Sequence, residues 1–223
     1  MFALTLLCAL AAPAHASSLG IGVAVVKDLP DTLDTEVPAR FGVGGALLVP
    51  IRFDLTPAAA LRTTLRIDAS KGDDHVTWNA GNGRIGEAPA WAAFVSTAAT
   101  VGPEVRFALD GPIVPYVAGE VGLALVHTFH NIERPELILP EHRASPKSLD
   151  PYGRKGALIA DVALGAAAGP TWFELGYTSA FVGDADLRRS EQSLELQHAA
   201  YAWNALRLTF GLTIPLGGAA LGS

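Results

Sequence analysis

Charge is scarce in this chain. Of its 223 residues only 17% are Asp, Glu, Lys or Arg, against 50% hydrophobic. A soluble domain carries about a quarter charged residues, so the balance leans toward a membrane. Long apolar runs are also missing: beyond the N-terminus no window holds the roughly 18 uninterrupted apolar residues that a membrane-spanning helix requires. A chain that crosses a membrane without such helices must do so as a closed barrel, because lipid cannot satisfy an open sheet edge. Cysteine occurs once, at Cys8, which removes a disulfide framework, a thiolate nucleophile and a Cys-based metal site from the chain that follows it. The net charge of −6 provides no basic footprint for nucleic acid.

The N-terminus MFALTLLCALAAPAHASS has an apolar run from Phe2 to Ala12 followed by the small-x-small pattern Ala14-His15-Ala16. It reads as a secretory signal ending at Ala16, although no Lys or Arg occurs before Lys27. The expected division is a signal peptide over 1–16 and one barrel domain over 17–223, since no linker or break in composition interrupts the remainder.

What is abundant is alternation. In FGVGGALLVPIRFDLTPAAALRTTLRIDA, every second residue from Phe41 except Gly45 is large and apolar: Val43, Leu47, Val49, Ile51, Phe53 and Leu55. After LTPAA the comb resumes with Leu61, Thr63, Leu65 and Ile67. A period of two is that of a β-strand, and two such runs around a short break form a hairpin. Segments of this kind fall at about 19–26, 41–55, 59–69, 91–109, 113–130, 156–168, 171–181 and 198–216. Their connections alternate long and short, as in an up-and-down barrel with tight turns at one end and loops at the other.

Within these segments the charged residues are Arg52, Asp54, Arg62, Arg66, Asp68, Glu104, Arg106, Glu120, Asp161, Glu174 and Arg207, all on the parity opposite the apolar teeth. An Arg or Lys on a lipid face costs about 2–4 kcal/mol near the midplane, so lipid enforces such an exclusion. The comb is therefore expected to face lipid, with the charges inside. Outward aromatics fall into two bands: Phe41, Trp91, Phe129 and Phe181 toward the loop ends, and Phe53, Phe107, Phe173 and Phe210 toward the turn ends, the placement of interfacial girdles. Pro50, Pro103 and Pro115 lie inside proposed strands, where each removes a ladder donor, and are expected at bulges or strand ends.

The stretches PYVAGEVGLA (Pro115 to Ala124), WFELGYTSAFVGD (Trp172 to Asp184) and ALRLTFGLTIPL (Ala205 to Leu216) resemble the OmpA-like and opacity-type eight-stranded outer-membrane barrels of Gram-negative bacteria. Those families show a Pro-Tyr fifth strand, a Gly-Tyr seventh strand followed by Gly-Asp, and a Leu-Arg-Leu-x-x-Gly closing strand. One departure is the end of that last strand, where Ile214-Pro215-Leu216 is followed by GGAALGS instead of a terminal aromatic. The resemblance implies an all-β transmembrane barrel in the outer membrane, with lipid, lipopolysaccharide and the barrel assembly machinery as its surroundings and partners.

An eight-stranded barrel is filled by its own side chains. Five arginines and six carboxylates placed inside must pair, which gives a salt-bridge plug, or at most a narrow ion path if they exchange partners. The expected role is structural or recognitional, without turnover, cofactor or metal. Two alternatives stay open: a lipid-modifying barrel enzyme built on Ser179 and His198, with His127 nearby, and a soluble periplasmic barrel that binds a lipophilic ligand. Asp73-Asp74-His75 in the second long loop has residue types suited to acid/base work. Trp78 and Tyr152 in the loops, and the single histidines His75, His142, His130 and His198, offer loop surface for an unidentified partner rather than metal-ligand spacing.

Overall fold

The computed structural model describes residues 17–29, 42–79, 85–107, 111–132, 148–149, 154–183 and 201–216. Eight long strands account for most of them: β1 (Ser17–Leu29), β2 (Val43–Thr56), β3 (Ala59–Asn79), β4 (Ile85–Arg106), β5 (Ile113–Ile132), β6 (Arg154–Ala168), β7 (Thr171–Gly183) and β8 (Tyr201–Pro215). Each is antiparallel to its neighbours in sequence, and β1 pairs with β8 from Ser18↔Pro215 to Leu29↔Asn204. That last seam closes the sheet, so the expected eight-stranded antiparallel barrel is present. A two-residue segment, Ser148–Leu149, adds to the far end of β5. The proposed signal at 1–16 lies outside the described residues, as do Phe41, His142, Tyr152 and His198.

Two of the tight turns show their chemistry. Between β2 and β3, the Ala58 N–H donates to Thr56 Oγ1 at 3.2 Å. Between β6 and β7, Gly169 takes φ +57°, a left-handed conformation that glycine adopts without a Cβ clash, and the Thr171 hydroxyl closes the turn on the Ala168 carbonyl at 2.8 Å.

Burial alternates residue by residue, and in the opposite sense to that of a soluble protein. Along β3, Arg62, Thr64, Arg66, Asp68 and Ser70 are buried, while Leu65 and Ile67 are half exposed. On β5 and β6, Val121 is 64% and Val162 54% exposed, next to Glu120 and Asp161 at 4% and 3%. Charged side chains are the last to be fully buried in an ordinary domain unless paired. Here they fill the lumen, and the apolar teeth form the outer wall.

Three expectations are corrected. The second long connection, 69–90, is mostly strand: β3 runs to Asn79 and β4 begins at Ile85, paired throughout from Lys71↔Ala93 to Asn79↔Ile85. Asp73-Asp74-His75 and Trp78 therefore sit on β3 and not in a loop. The apolar comb stops near Ala69, but backbone pairing does not require apolar teeth once a hairpin stands clear of the belt. Similarly β1 reaches Leu29. These extensions put Lys27 and Lys71 on the outward face, both exposed, so positive charge is absent from the belt itself but present at its loop-end margin. Finally, the prolines divide: Pro103 and Pro115 lie three and two residues from the turn ends of β4 and β5, as expected, but Pro50 lies mid-strand on β2. The β1–β2 and β4–β5 ladders skip the pairings opposite Pro50 and Pro103, so the missing donors break one ladder each while the other side stays in register.

Candidate functional site

The lumen is the most chemically loaded part of the molecule. Strand alternation carries the eleven charged residues named from the sequence inward from seven strands, β2 to β8, and their side chains join end to end. Nearest the tight turns, Arg106 Nη1 meets Asp54 Oδ1 at 2.7 Å and its Nε donates to Glu104 Oε1 at 2.9 Å. The other Glu104 oxygen accepts from Arg52 Nε at 2.7 Å. Arg62 then crosses the barrel, donating from Nη1 to Glu174 Oε2 at 2.6 Å and from Nη2 to Oε1 at 3.2 Å. Glu174 also accepts from Arg207 Nη2 at 3.1 Å and from the Tyr116 hydroxyl at 3.1 Å.

Arg207 grips Asp161 with a two-bond fork, at 2.7 and 3.0 Å. Asp161 accepts in addition from Arg66 Nη1 and from the Thr178 hydroxyl. Arg66 Nε reaches Asp68 at 2.8 Å, and Asp68 accepts from the Ser96 hydroxyl at 2.9 Å. Glu120 joins from the side, 3.4 Å from Arg62 Nε and bonded to Thr64 at 2.9 Å and Thr100 at 3.3 Å. Arg62 Nη1 also lies 3.8 Å from Glu104 Oε2, so all eleven charged positions named from the sequence belong to one continuous interior assembly.

Taking an ion out of water costs several kcal/mol, which its partner repays only if the remaining donors and acceptors are also satisfied. The planar guanidinium fork suits this because one arginine serves two carboxylates. Arg62 spans Glu120 and Glu174, Arg66 spans Asp68 and Asp161, and Arg207 spans Asp161 and Glu174. Such sharing locks the side chains together.

Sequence reasoning missed the neutral members. Tyr116 and Trp172 are 3% and 1% exposed, and the Arg52 guanidinium lies over both rings at 5.7 and 5.6 Å, within cation–π range. Thr64, Thr100, Thr178 and Ser96 supply hydroxyls to the carboxylates. All share the inward parity of the charges, which was the available signal. Asp28 was missed because β1 was ended too early; it is 5% exposed and accepts from Trp203 Nε1 at 2.8 Å.

Above the ionic section, toward the loop end, the lumen turns apolar. Val26, Ala98, Ala124, Val126, Ala157, Ile159, Ala180, Trp203 and Ala205 pack into one cluster, and the Arg66 guanidinium 5.9 Å over the Trp203 ring joins the two sections. Among the described residues no three of His, Cys, Asp and Glu are placed to hold a metal.

Of the proposed girdle, Phe107, Phe173, Phe181 and Phe210 are outward and 47–58% exposed, Phe53 is half-buried, and Phe173 pairs directly with Phe210. Trp91 and Phe129 lie on β4 and β5 near their loop ends, with side chains outside the described set. Ser179 is outward and half-buried on β7.

No family model matches the sequence, and no curated protein matches it. Among solved structures the chain is similar to Neisserial surface protein A, with 11% identity over 90% of this chain and 99% of that one at a TM-score of 0.45. It is similar to Ail, the attachment invasion locus protein of Yersinia pestis, with 12% identity over 89% and 98% at a TM-score of 0.46. A third is the outer membrane protein OprG from Pseudomonas aeruginosa, with 11% identity over 90% and 96% at a TM-score of 0.42. At that level of likeness the fold rests on this chain's own strand pairing.

Proposed function

We propose that this protein is an integral outer-membrane β-barrel of a Gram-negative envelope, sealed through its centre and acting as a structural element or surface-recognition platform at its loop end. The observation that carries this reading is the inverted burial: paired charges inside and a continuous belt of Val, Leu, Ile and Phe outside. In water that belt would be a single apolar surface far larger than the few hundred Å² a soluble monomer tolerates. In a bilayer it is the matching solvent, and the closed ladder leaves no strand edge in hydrocarbon.

The filled lumen argues against a soluble carrier of a lipophilic ligand, since ion pairs and the apolar cluster occupy the inward positions. It argues equally against a wide diffusion pore. The lipid-modifying alternative requires Ser179 to act with a base.

The experiment is electrophoresis of the detergent-refolded chain with and without boiling, beside fractionation of expressing cells. Faster migration of the unboiled band, with the protein in the outer-membrane fraction, is the expected result. A band indifferent to boiling and recovered in the soluble periplasm would overturn the reading. A deacylation assay on purified lipopolysaccharide tests turnover: release of fatty acid that Ser179→Ala abolishes would replace the structural role with an enzymatic one.

A further inference from the structure

The outward wall departs from its apolar pattern on β7 and β8. Tyr177 and Ser179 on β7 and Asn204 on β8 all point outward. The Tyr177 hydroxyl donates to Asn204 Oδ1 at 3.0 Å, and Ser179 stands directly opposite Asn204 in the β7–β8 register, which sets their Cβ atoms about 4.5–5.5 Å apart. Across the other seam, Leu29 pairs with Asn204 and Lys27 with Leu206. Lys27, outward and exposed, is therefore the diagonal neighbour of Asn204, at about 7–8 Å and within reach of a lysine stem.

The chemistry of this patch is one-sided. The Asn204 amide nitrogen and the Ser179 hydroxyl have no hydrogen-bond partner among the described residues, and the Lys27 ammonium, whose charge acts on the inward Asp28 carboxylate, makes no close ion pair among them. Among those residues with described side chains, no Asp or Glu is exposed on the outer wall. Among the described residues the patch is rich in donors, carries a positive charge and lacks a carboxylate, which suits a ligand that brings acceptors and negative charge.

Its height narrows the choice. Asn204 is six residues above Phe210 on β8, and Ser179 two residues below Phe181 on β7. With a rise of about 3.3 Å per residue and a strand tilt of about 40°, the patch lies roughly 15 Å above the Phe173–Phe210 pair and roughly 5 Å below Phe181. That is just inside the loop-end boundary of the hydrocarbon, where the acyl carbonyls and phosphate of a lipid lie.

We propose that Lys27, Asn204 and Ser179 form a binding site for one phosphorylated acyl lipid. The lipid phosphate takes the Lys27 ammonium, an acyl carbonyl accepts from Asn204 and Ser179, and the chain descends over Leu206 and Leu208, both outward on β8. Tyr177 holds the Asn204 carbonyl and so turns the amide nitrogen toward the lipid. The site rests on the membrane-spanning reading above. A second copy of the chain suits the patch less well: two Asn204 carboxamides can pair about a two-fold axis, but that axis also brings two Lys27 side chains together with no carboxylate on either outer wall to offset them.

The test is native mass spectrometry of the refolded chain, the heat shift being recorded for every sample, titrated with dioleoylphosphatidylglycerol or with dioleoylglycerol, which lacks the phosphate. The wild type is expected to retain one phosphatidylglycerol, with Lys27→Gln weakening retention by roughly tenfold or more, as loss of a charge-assisted contact does, and Asn204→Leu by roughly threefold or more, as loss of a neutral hydrogen bond does. Dioleoylglycerol is expected to bind the wild type no better than phosphatidylglycerol binds the variants. Equal retention by wild type and both variants would overturn the site while the heat shift leaves the barrel standing. A dimer that Asn204→Leu dissolves would overturn it in favour of a second copy, and loss of the heat shift in the wild type would overturn the membrane reading itself.

Discussion

Arg62 on β3 and Glu174 on β7, separated by 112 residues in sequence, face each other across the lumen and share two hydrogen bonds of 2.6 and 3.2 Å. Their strands are not neighbours, so the pair is a strut across the barrel rather than a cross-strand contact. Its worth lies in what happens when half of it is removed.

Glu174→Leu strips a partner from Arg62, Arg207 and Tyr116 at once. Arg62 keeps Glu120 at 3.4 Å and Arg207 keeps Asp161, so the loss is expected to fall at or below the about 3–5 kcal/mol of a wholly uncompensated buried charge. The double variant Arg62→Leu with Glu174→Leu removes both charges of the strut, and its loss is expected to fall short of the summed singles by at least about 1 kcal/mol. Reversible urea unfolding in lipid vesicles, followed by tryptophan emission, measures it; simple additivity would mean that the strut carries no coupling.

At Gly122 the β5 backbone lies hard against β4. A Cβ there would lie 2.0 Å from the Ala99 carbonyl oxygen and 2.7 Å from Thr100 Cα, both backbone atoms that cannot swing aside. Gly122→Ala is expected to destabilise the β4–β5 seam by more than 1 kcal/mol, on the scale of forced overpacking at about 1–3 kcal/mol. The neighbouring outward change Val121→Ala deletes only lipid-facing methyl groups and should cost less. Equal losses in the same unfolding assay would show that the seam relaxes freely.

The barrel was legible in the sequence because two requirements coincide. Lipid excludes charge from one parity, and a closed lumen concentrates it on the other, so Arg62, Arg66 and Asp68 read as inward from β3 alone. What was not legible is the pairing. No spacing along the chain brings Arg62 to Glu174 rather than to Glu104, because the partner is set by barrel closure and stagger. Strand ends were misjudged for a physical reason as well. At Lys27 and from Lys71 to Asn79 the alternation of hydrophobicity lapses while the ladder continues, since beyond the belt the backbone still needs its hydrogen bonds and the side chains no longer need to be apolar. Tyr116, Trp172 and Trp203 were not read as inward because the inward set was drawn from charge alone, although their parity places them inside.

Val121 lies midway along the outward face of β5 and is 64% exposed. Val121→Arg is expected to lower stability in vesicles by about 2–4 kcal/mol, the cost of a guanidinium near the midplane. The same substitution in a water-exposed strand would be close to neutral. A loss below about 0.5 kcal/mol, the scale of an ordinary surface substitution, would mean that this face meets water or a polar partner instead of acyl chains.

The lumen is closed twice in series, by the ion-pair assembly nearer the tight turns and by the Val26, Val126, Ile159 and Trp203 cluster above it. In a series path the higher resistance governs, so opening one section leaves the current near zero. In planar bilayers the wild type is therefore expected to show no steady conductance, and Arg62→Ala with Glu174→Ala should stay closed at the Trp203 level, where an apolar constriction excludes water and ions. Adding Trp203→Ala to that pair opens both sections and should give resolvable single-channel steps. Steady current in the wild type, or in the variant that lacks only the ionic strut, would show that the apolar cluster is not a seal.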